Sequence, residues 1–526
     1  MRTLSSPAVI AVAVALALVA AIAPANYAQG RPVVIATSGD AETMDAVMSA
    51  ISTTFSIQRH VLEPLVDNDP DAKLVPVLAT QWRALDALTW EFKLRPNVRF
   101  HNGEPFTAEA AKFSIERARD HPKSLLKAYV SLIKEVRVVD DLTLRLVTTE
   151  PSPDLVANLA NNVFMYPPRY TREVGDDGVA KRPVGTGPYR FVEWIRDDRI
   201  VLEANPAYWG PRPQATRVTI RPIPEGATRV AALLAGEVDV IESPPIPDIP
   251  RIARTRGFKV LRKQGPRLIF IAMDTHRDRG GPHPQFSPGL PAGQPNPFKD
   301  VRVRQAVYHA INSKEIVEQV MQGAAAPAEQ ILPPFMYGYN PKVRRPIYDP
   351  SRAKRLLAEA GYPNGFTVRL DVTTDRYVND REVGLAVVGM LKRVGIDAQL
   401  NGMPRAIYFP KMRAFDTSFQ MSGWLTLVSS TNWAALLGCV DPKTGYGRAN
   451  YGRYCHPELN RLIDIMRTEM DEKKRLEAFY KAAELNRQDV GKIPLYFEEL
   501  IRAVKENITM PVRVDESILA HEITFR

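Results

Sequence analysis

Two loops in the second half of the chain carry side chains suited to recognition chemistry. The first, Thr373-Thr374-Asp375-Arg376-Tyr377-Val378-Asn379-Asp380, directly follows an alternating apolar run, Phe366, Val368, Leu370 and Val372. A guanidinium at such a loop can grip a carboxylate bidentately, because its planar fork matches the two oxygens. It can equally pair with its neighbours Asp375 or Asp380. The second loop is Met421-Ser422-Gly423-Trp424-Leu425-Thr426-Leu427-Val428-Ser429-Ser430-Thr431. Trp424 can stack on a ligand or pack beneath one, and Ser429, Ser430 and Thr431 offer neutral hydroxyls. Together these groups point to capture of an anion rather than to bond cleavage.

Catalytic patterns are missing. There is no GxSxG elbow, no HExxH and no Walker A sequence. A secreted hydrolase is the competing class, and it would turn over an ester or glycoside through a single serine. His276 and His283 bracket a Pro- and Gly-rich stretch from Gly280 to Pro297 with no third ligand nearby, so neither metal nor cofactor is expected. The 69 basic and 59 acidic residues leave a net charge of +10, but they are scattered rather than gathered in a basic stripe, which argues against nucleic acid.

The N-terminus carries Arg2, an apolar run from Ala8 to Ala23, then Pro24, Ala25 and Tyr27-Ala28-Gln29. That is the pattern of a signal peptide cleaved after Ala28 or Ala25, and the run is short for a spanning helix. No later stretch reaches membrane-spanning length. The chain has two cysteines, Cys439 and Cys455, neither placed to anchor a lipid. In an oxidising compartment they favour a disulfide, two reduced thiols being the alternative.

These loops need elements to hold them. At 526 residues the chain suggests about two to four domains. Val33 to Thr37 is a short strand, and Trp90, Phe92 and Leu94, then Leu142, Leu144 and Leu146, alternate as strands. Thr107 is placed to cap a helix running from Ala108 to Arg119. In Pro183 to Gly210, PVGTGPYRFVEWIRDDRIVLEANPAYWG, a turn at Gly185, Gly187 and Pro188 precedes a hairpin whose tip is Arg196 to Arg199. Thr228 to Leu234 reads as a helix, and Pro244 to Pro250 as a loop. Farther on, Asp300, Ser313, Asp349, Asp380, Pro457 and Asp471 open successive helices. Ile493 to Phe497 is a buried strand that returns the chain to its first half. Alternating helices and strands predict an α/β fold with a mixed sheet.

The GTGPY and N..YW pieces of the 183–210 stretch, with Arg95-Pro96-Asn97 to Thr107-Ala108 as a second block, closely resemble the family 5 extracellular solute-binding proteins of ABC importers. That family includes dipeptide-, oligopeptide- and nickel-binding receptors. The resemblance covers nearly the whole mature chain. It implies a two-lobed periplasmic-binding-protein type II fold, cluster C, with an extra inserted α/β subdomain in the first lobe. It divides the chain into signal peptide 1–28, lobe I 29–62, inserted subdomain 63–184, lobe I 185–268, lobe II 269–490 and lobe I 491–526. It also implies a monomeric periplasmic receptor that delivers a small solute to an inner-membrane ABC permease.

Carried onto this chain residue by residue, the resemblance places ligand contacts at Gly39, Asp40, Ala41, Arg376, Tyr377, Asn379, Ser422, Gly423, Trp424 and Thr426. In the dipeptide receptor the loop matching Arg376 and Tyr377 holds the peptide carboxylate, and a cysteine pair similar to Cys439 and Cys455 follows the Gly-Trp loop. The peptide receptors also follow Gly-Trp with an aspartate-rich turn that binds the α-amino group. Here the aspartates are missing. The expected solute is therefore carboxylate-bearing, peptide-like or opine-like, with a metal chelate such as nickel with an organic chelator as the alternative.

Overall fold

The computed structural model describes residues 30–526, apart from 50, 161 and 282–288. The signal-peptide reading and His283 therefore fall outside the described residues.

Two long antiparallel strands, Phe258–Met273 and Ile493–Lys505, form the spine of an 11-stranded mixed sheet, whose short strand Ala325–Pro327 pairs with Ile493–Lys505 off the main order. Outward from Ile493–Lys505 on one side come Val240–Glu242, Arg31–Thr37, Ala215–Pro222, Arg199–Ala204 and Tyr189–Ile195. Outward from Phe258–Met273 on the other come Phe419–Trp424, Thr367–Thr373 and Asp397–Met403. Arg31–Thr37 runs parallel to both its neighbours, and Thr367–Thr373 runs parallel to both of its own. Strands buried on both faces by helices read as continuous apolar runs. Leu268 to Met273 is such a run and is wholly buried.

The two spine strands slip register midway. Gln264 pairs with Glu499, but the next pair is Leu268 with Phe497. Gly265 and Pro266 make this bulge possible: a Cβ on Gly265 would sit 2.8 Å from the Glu498 carbonyl oxygen, and proline has no amide to pair. The bulge turns Arg267 and Glu498 toward each other, with Arg267 Nε 3.3 Å from the Glu498 carboxylate.

A separate four-stranded antiparallel sheet is built in the order Ala79–Ala84, Thr89–Leu94, Thr143–Thr148, Ile133–Asp140. The helix Ala108–Asp120 covers it, and Phe92, Leu94, Leu144, Leu146 and Ile115 share one buried core. Thr107 stands at the cap position, but its hydroxyl accepts no first-turn amide.

The hairpin forms as expected, with strands Tyr189–Ile195 and Arg199–Ala204. The surrounding block has a purpose its turn chemistry conceals. Thr186 Oγ1, Tyr208 Oη and Trp209 Nε1 all donate to the buried carboxylate of Glu63, at 2.7, 2.7 and 2.8 Å. Gly185 and Gly187 let this chain lie directly on the backbone of His60 and Val61; a Cβ on Gly185 would be 2.0 Å from the Val61 carbonyl oxygen.

The carboxylates of Asp300, Asp349 and Asp471 accept the first-turn amides of their helices, as expected. A helix also begins at Ser313 as expected, capped by Asn312, with the Ser313 hydroxyl turned onto the Leu495 carbonyl, and it then widens into a π-turn at Ile316–Val320. Others differ. Asp380 is the first residue of Asp380–Lys392 rather than its cap, and its carboxylate is occupied elsewhere. Pro245 opens a short 3-10 turn, Ile246–Asp248, that runs into the helix Ile249–Arg254 where a loop was expected. The final strand continues eight residues beyond Phe497, to Lys505, carrying buried Glu498 and Arg502. Cys439 and Cys455 form a disulfide with Cα atoms 4.6 Å apart.

Candidate functional site

Thr367–Thr373 and Phe419–Trp424 run parallel, so the loops after them open on the same side, where open α/β sheets place ligands. Between these loops and the bulge of the spine lies a cavity of about 260 Å³ lined by Arg267, Arg376, Tyr377, Ser422, Gly423 and Trp424. Phe270, Phe409, Tyr451, Ser52, Leu425 and Ala449 complete its wall.

The Arg376 loop is held by its backbone. Asp380 Oδ2 accepts the amides of Arg376 and Tyr377 at 3.1 and 3.2 Å, and Glu498 accepts that of Val378 at 3.2 Å. Asn379 takes a left-handed conformation, φ 52°, and its amide donates to the Val320 carbonyl. Asp375 accepts the amide of Arg405. Both acids beside Arg376 are thus engaged with backbone, and among the described residues no carboxylate pairs with its guanidinium, which lies 5.2 Å from the centre of the Tyr377 ring. Tyr377 is buried and donates its hydroxyl to the Gly423 carbonyl at 3.1 Å. Glycine is required there, since a Cβ on Gly423 would lie 2.5 Å from the Tyr377 ring.

Charge around the cavity is uneven. Arg267 donates to Glu516 at 2.8 Å and lies against Glu498. Burial disfavours its charge, but the two acids outweigh burial and hold its pKa above the ordinary value. Arg376 is less well supported: burial, then repulsion from Arg267, outweigh the pull of Tyr377, Glu516 and Glu498 and push its pKa below the ordinary value. An anion in the cavity would offset both effects by favouring the charged guanidinium.

Two further cavities continue the cleft. One of about 170 Å³ shares Ser52 and Leu425 with the first and adds Phe55, Thr426, Leu427 and Val428. The next, of about 290 Å³, shares Tyr129 with the second and is lined by Asp154, Ser430, Thr431, Lys443, Arg448 and Arg467. The carboxylates lining these spaces are already committed: Asp515 to Arg59 and Arg513, Asp154 to Arg475 and the Ser430 hydroxyl.

Of the residues expected to touch ligand, Arg376, Tyr377, Ser422, Gly423 and Trp424 come together on one cavity, and Thr426 lines the next. Gly39, Asp40, Ala41 and Asn379 do not join them. Asp40 is used by the hairpin, accepting from Trp194 Nε1 at 3.0 Å and from the Asp197 amide at 2.9 Å. Arg267 and Glu498 were not foreseen. The only signal for them was a charged residue beside Gly-Pro, and a Glu-Glu pair interrupting an apolar strand. Phe270, Phe409 and Tyr451 carry no local signal at all.

Two α/β halves joined by crossing strands, with a lined cleft between them, define a two-lobed binding protein. The family model for bacterial extracellular solute-binding proteins, family 5 (middle), matches residues 73–439, and the chain belongs to that family. It is 27% identical over 508 residues to the dipeptide-binding protein of Escherichia coli K12, covering 90% of each chain. It is 28% identical over 509 residues to the glutathione-binding protein GsiB of Pectobacterium atrosepticum, covering 94% of each. Among solved structures, AgaA of A. tumefaciens R10 in complex with agropinic acid superposes with a TM-score of 0.75 at 25% identity, covering 94% of this chain and 99% of that one. The family consists of binding proteins rather than enzymes, and among the described residues no helix is long and apolar enough to cross a membrane.

Proposed function

We propose that this chain is the periplasmic solute receptor of an ABC-type importer, and that it closes on a small carboxylate-bearing solute whose anionic group meets Arg376. One observation carries the reading. Among the described residues no carboxylate pairs with Arg376, the partly buried cation of the first cavity, whereas the carboxylates lining the cleft, Asp154 and Asp515, are both paired. Tyr377, Ser422, Gly423 and Trp424 are the further contacts, with Thr426 toward the second cavity. Closure is a population shift, driven by the solute's greater affinity for the closed form. One chain supplies both walls of the cleft, so the receptor works as a monomer, its lobes divided as 29–62, 185–268 and 491–526 against 269–490, with 63–184 as the inserted subdomain.

Relatives bind dipeptide or glutathione by name, and one superposed structure holds agropinic acid. Plain peptides fit this cleft poorly, because a buried ammonium needs an anionic partner and the loop from Leu425 to Thr431 has none. The test is calorimetry with unmodified dipeptides, beside mass spectrometry of the solute that co-purifies. Submicromolar dipeptide binding, or a co-purifying solute with no acidic group, overturns this reading.

A further inference from the structure

Beyond the cavity at Arg376, the far end of the cleft is also cationic. Lys443, Arg448 and Arg467 line the 290 Å³ cavity, and among the described residues none of the three pairs with a carboxylate. The one acid on that wall, Asp154, is already bound by Arg475 and Ser430. Elsewhere on this protein exposed arginines are commonly paired, as Arg137 is with Glu135 and Arg461 with Glu458. Two of the three cations are held by aromatic faces instead. Arg448 lies 5.1 Å from the centre of the Trp424 ring, so it abuts the wall of the Arg376 cavity, and Arg467 lies 4.8 Å from that of Tyr446. Between the two cationic ends, the middle cavity sets Phe55, Leu425, Leu427 and Val428 beside Asn68, Asn162 and Thr426, and its one guanidinium and one carboxylate, Arg59 and Asp515, are paired with each other.

Resting on the proposed anion site at Arg376, we propose a second anion subsite formed by Lys443, Arg448 and Arg467, and hence a solute class: elongated molecules with an anionic group at each end. A guanidinium pair with an ammonium beside it suits a carboxylate or a phosphoryl group. A monoanion leaves one cationic end unmatched, so both ends together select length and charge at once.

The test uses octanoate, suberate and ω-phosphono-octanoate as probes, titrated against the whole mature protein, the double variant Arg448→Ala/Arg467→Ala, and Arg376→Ala. At least one dianion should bind about tenfold or more tighter than octanoate. Loss of Arg448 and Arg467 should abolish that preference, and loss of Arg376 should weaken every probe. Preference for suberate alone, or for the phosphonate alone, identifies which anion the subsite takes. No preference for a dianion, a preference that survives the double variant, or no binding of any probe overturns the second subsite. Octanoate binding that still depends on Arg376 then keeps the proposed function, and binding indifferent to Arg376 removes that as well. As an independent check, a co-purifying solute with a single acidic group also overturns the subsite.

Discussion

The indole of Trp209 donates to the carboxylate of Glu63 at 2.8 Å, across 146 positions of sequence. Thr186 and Tyr208 donate to the same group, yet burial dominates over all three and pushes the Glu63 carboxyl up to about 7 from 4.5. A carboxyl raised in the fold favours the native state most below its unfolded value. That contribution is complete below about pH 4.5 and is lost as the pH rises through about 7, on the order of 3 kcal/mol in all. Glu63→Gln, which keeps the shape and cannot ionise, should flatten this part of the stability profile. Glu63→Ala leaves three buried donors unmatched and should cost at least about 3 kcal/mol. Urea melts of the three proteins at several pH values between these limits decide it; equal slopes for wild type and Glu63→Gln would show that Glu63 does not titrate there.

Glu63 also marks the boundary of what the sequence makes legible. Turn chemistry at Gly185 to Pro188 and the alternation of the hairpin are local, and both appear as expected. That the same block closes on an acid near the start of the chain is long-range, and only its resemblance to a family hints at it. The helix caps divide the same way: Asp300, Asp349 and Asp471 act on their own first turns, whereas Asp380 is taken by the Arg376 loop because strand and helix meet there. The apolar pattern of Ile493–Lys505 stops at Phe497, because Glu498 and Arg502 interrupt it. Those charges are buried because partners from other elements meet them, Arg267 for one and the Glu516 carbonyl for the other.

Arg376→Ala should weaken solute binding at least tenfold. A charge-assisted bond contributes roughly 1.5 to 3 kcal/mol, and stranding its partner costs about 2 to 5 kcal/mol, against about 1.4 kcal/mol for a factor of ten. Arg376→Lys restores the charge without the fork and should recover only part. The fold should persist, since Asp380 and Glu498 hold the loop through its amides. Titration with the co-purified solute beside solute-free melting curves separates the two effects. Equal affinities in all three proteins would make Arg376 structural.

The disulfide stabilises both the fold and the cleft. Closing the segment from Cys439 to Cys455 should contribute about 3 kcal/mol. The enclosed loop carries Lys443, Arg448, Ala449 and Tyr451, all of which line the cleft. Reduction, or paired Cys→Ser variants, should lower the melting temperature and weaken solute binding together. Thiol titration of unreduced, denatured protein should find no free thiol. Two free thiols, or binding untouched by reduction, would separate the bond from the site.

Asp154 closes the far end of the cleft, bound to Arg475 of the helix Glu472–Asp489 and to the Ser430 hydroxyl at the start of Ser429–Leu437. Both charges are largely buried, with side-chain exposures of 15% for Asp154 and 11% for Arg475. Arg475 also lies against Tyr337 and Phe479, so it is fixed in place before Asp154 arrives. On the proposed division, with Asp154 in the inserted subdomain and Arg475 in the 269–490 lobe, opening the cleft separates this pair and makes it part of the free-energy gap between open and closed forms without solute. Asp154→Asn keeps an acceptor but leaves Arg475 uncompensated only when the cleft is closed, so the equilibrium should move toward the open form. Apparent affinity falls by the fraction of molecules that remain competent to close, and a shift of roughly 1 kcal/mol corresponds to about fivefold. The loss should appear mainly as faster solute release, while local helix stability is unchanged. Small-angle scattering of the solute-free proteins should show a larger radius of gyration for Asp154→Asn, and stopped-flow dilution should show quicker dissociation. Identical scattering and release rates would mean the pair merely decorates a cleft held shut by other contacts.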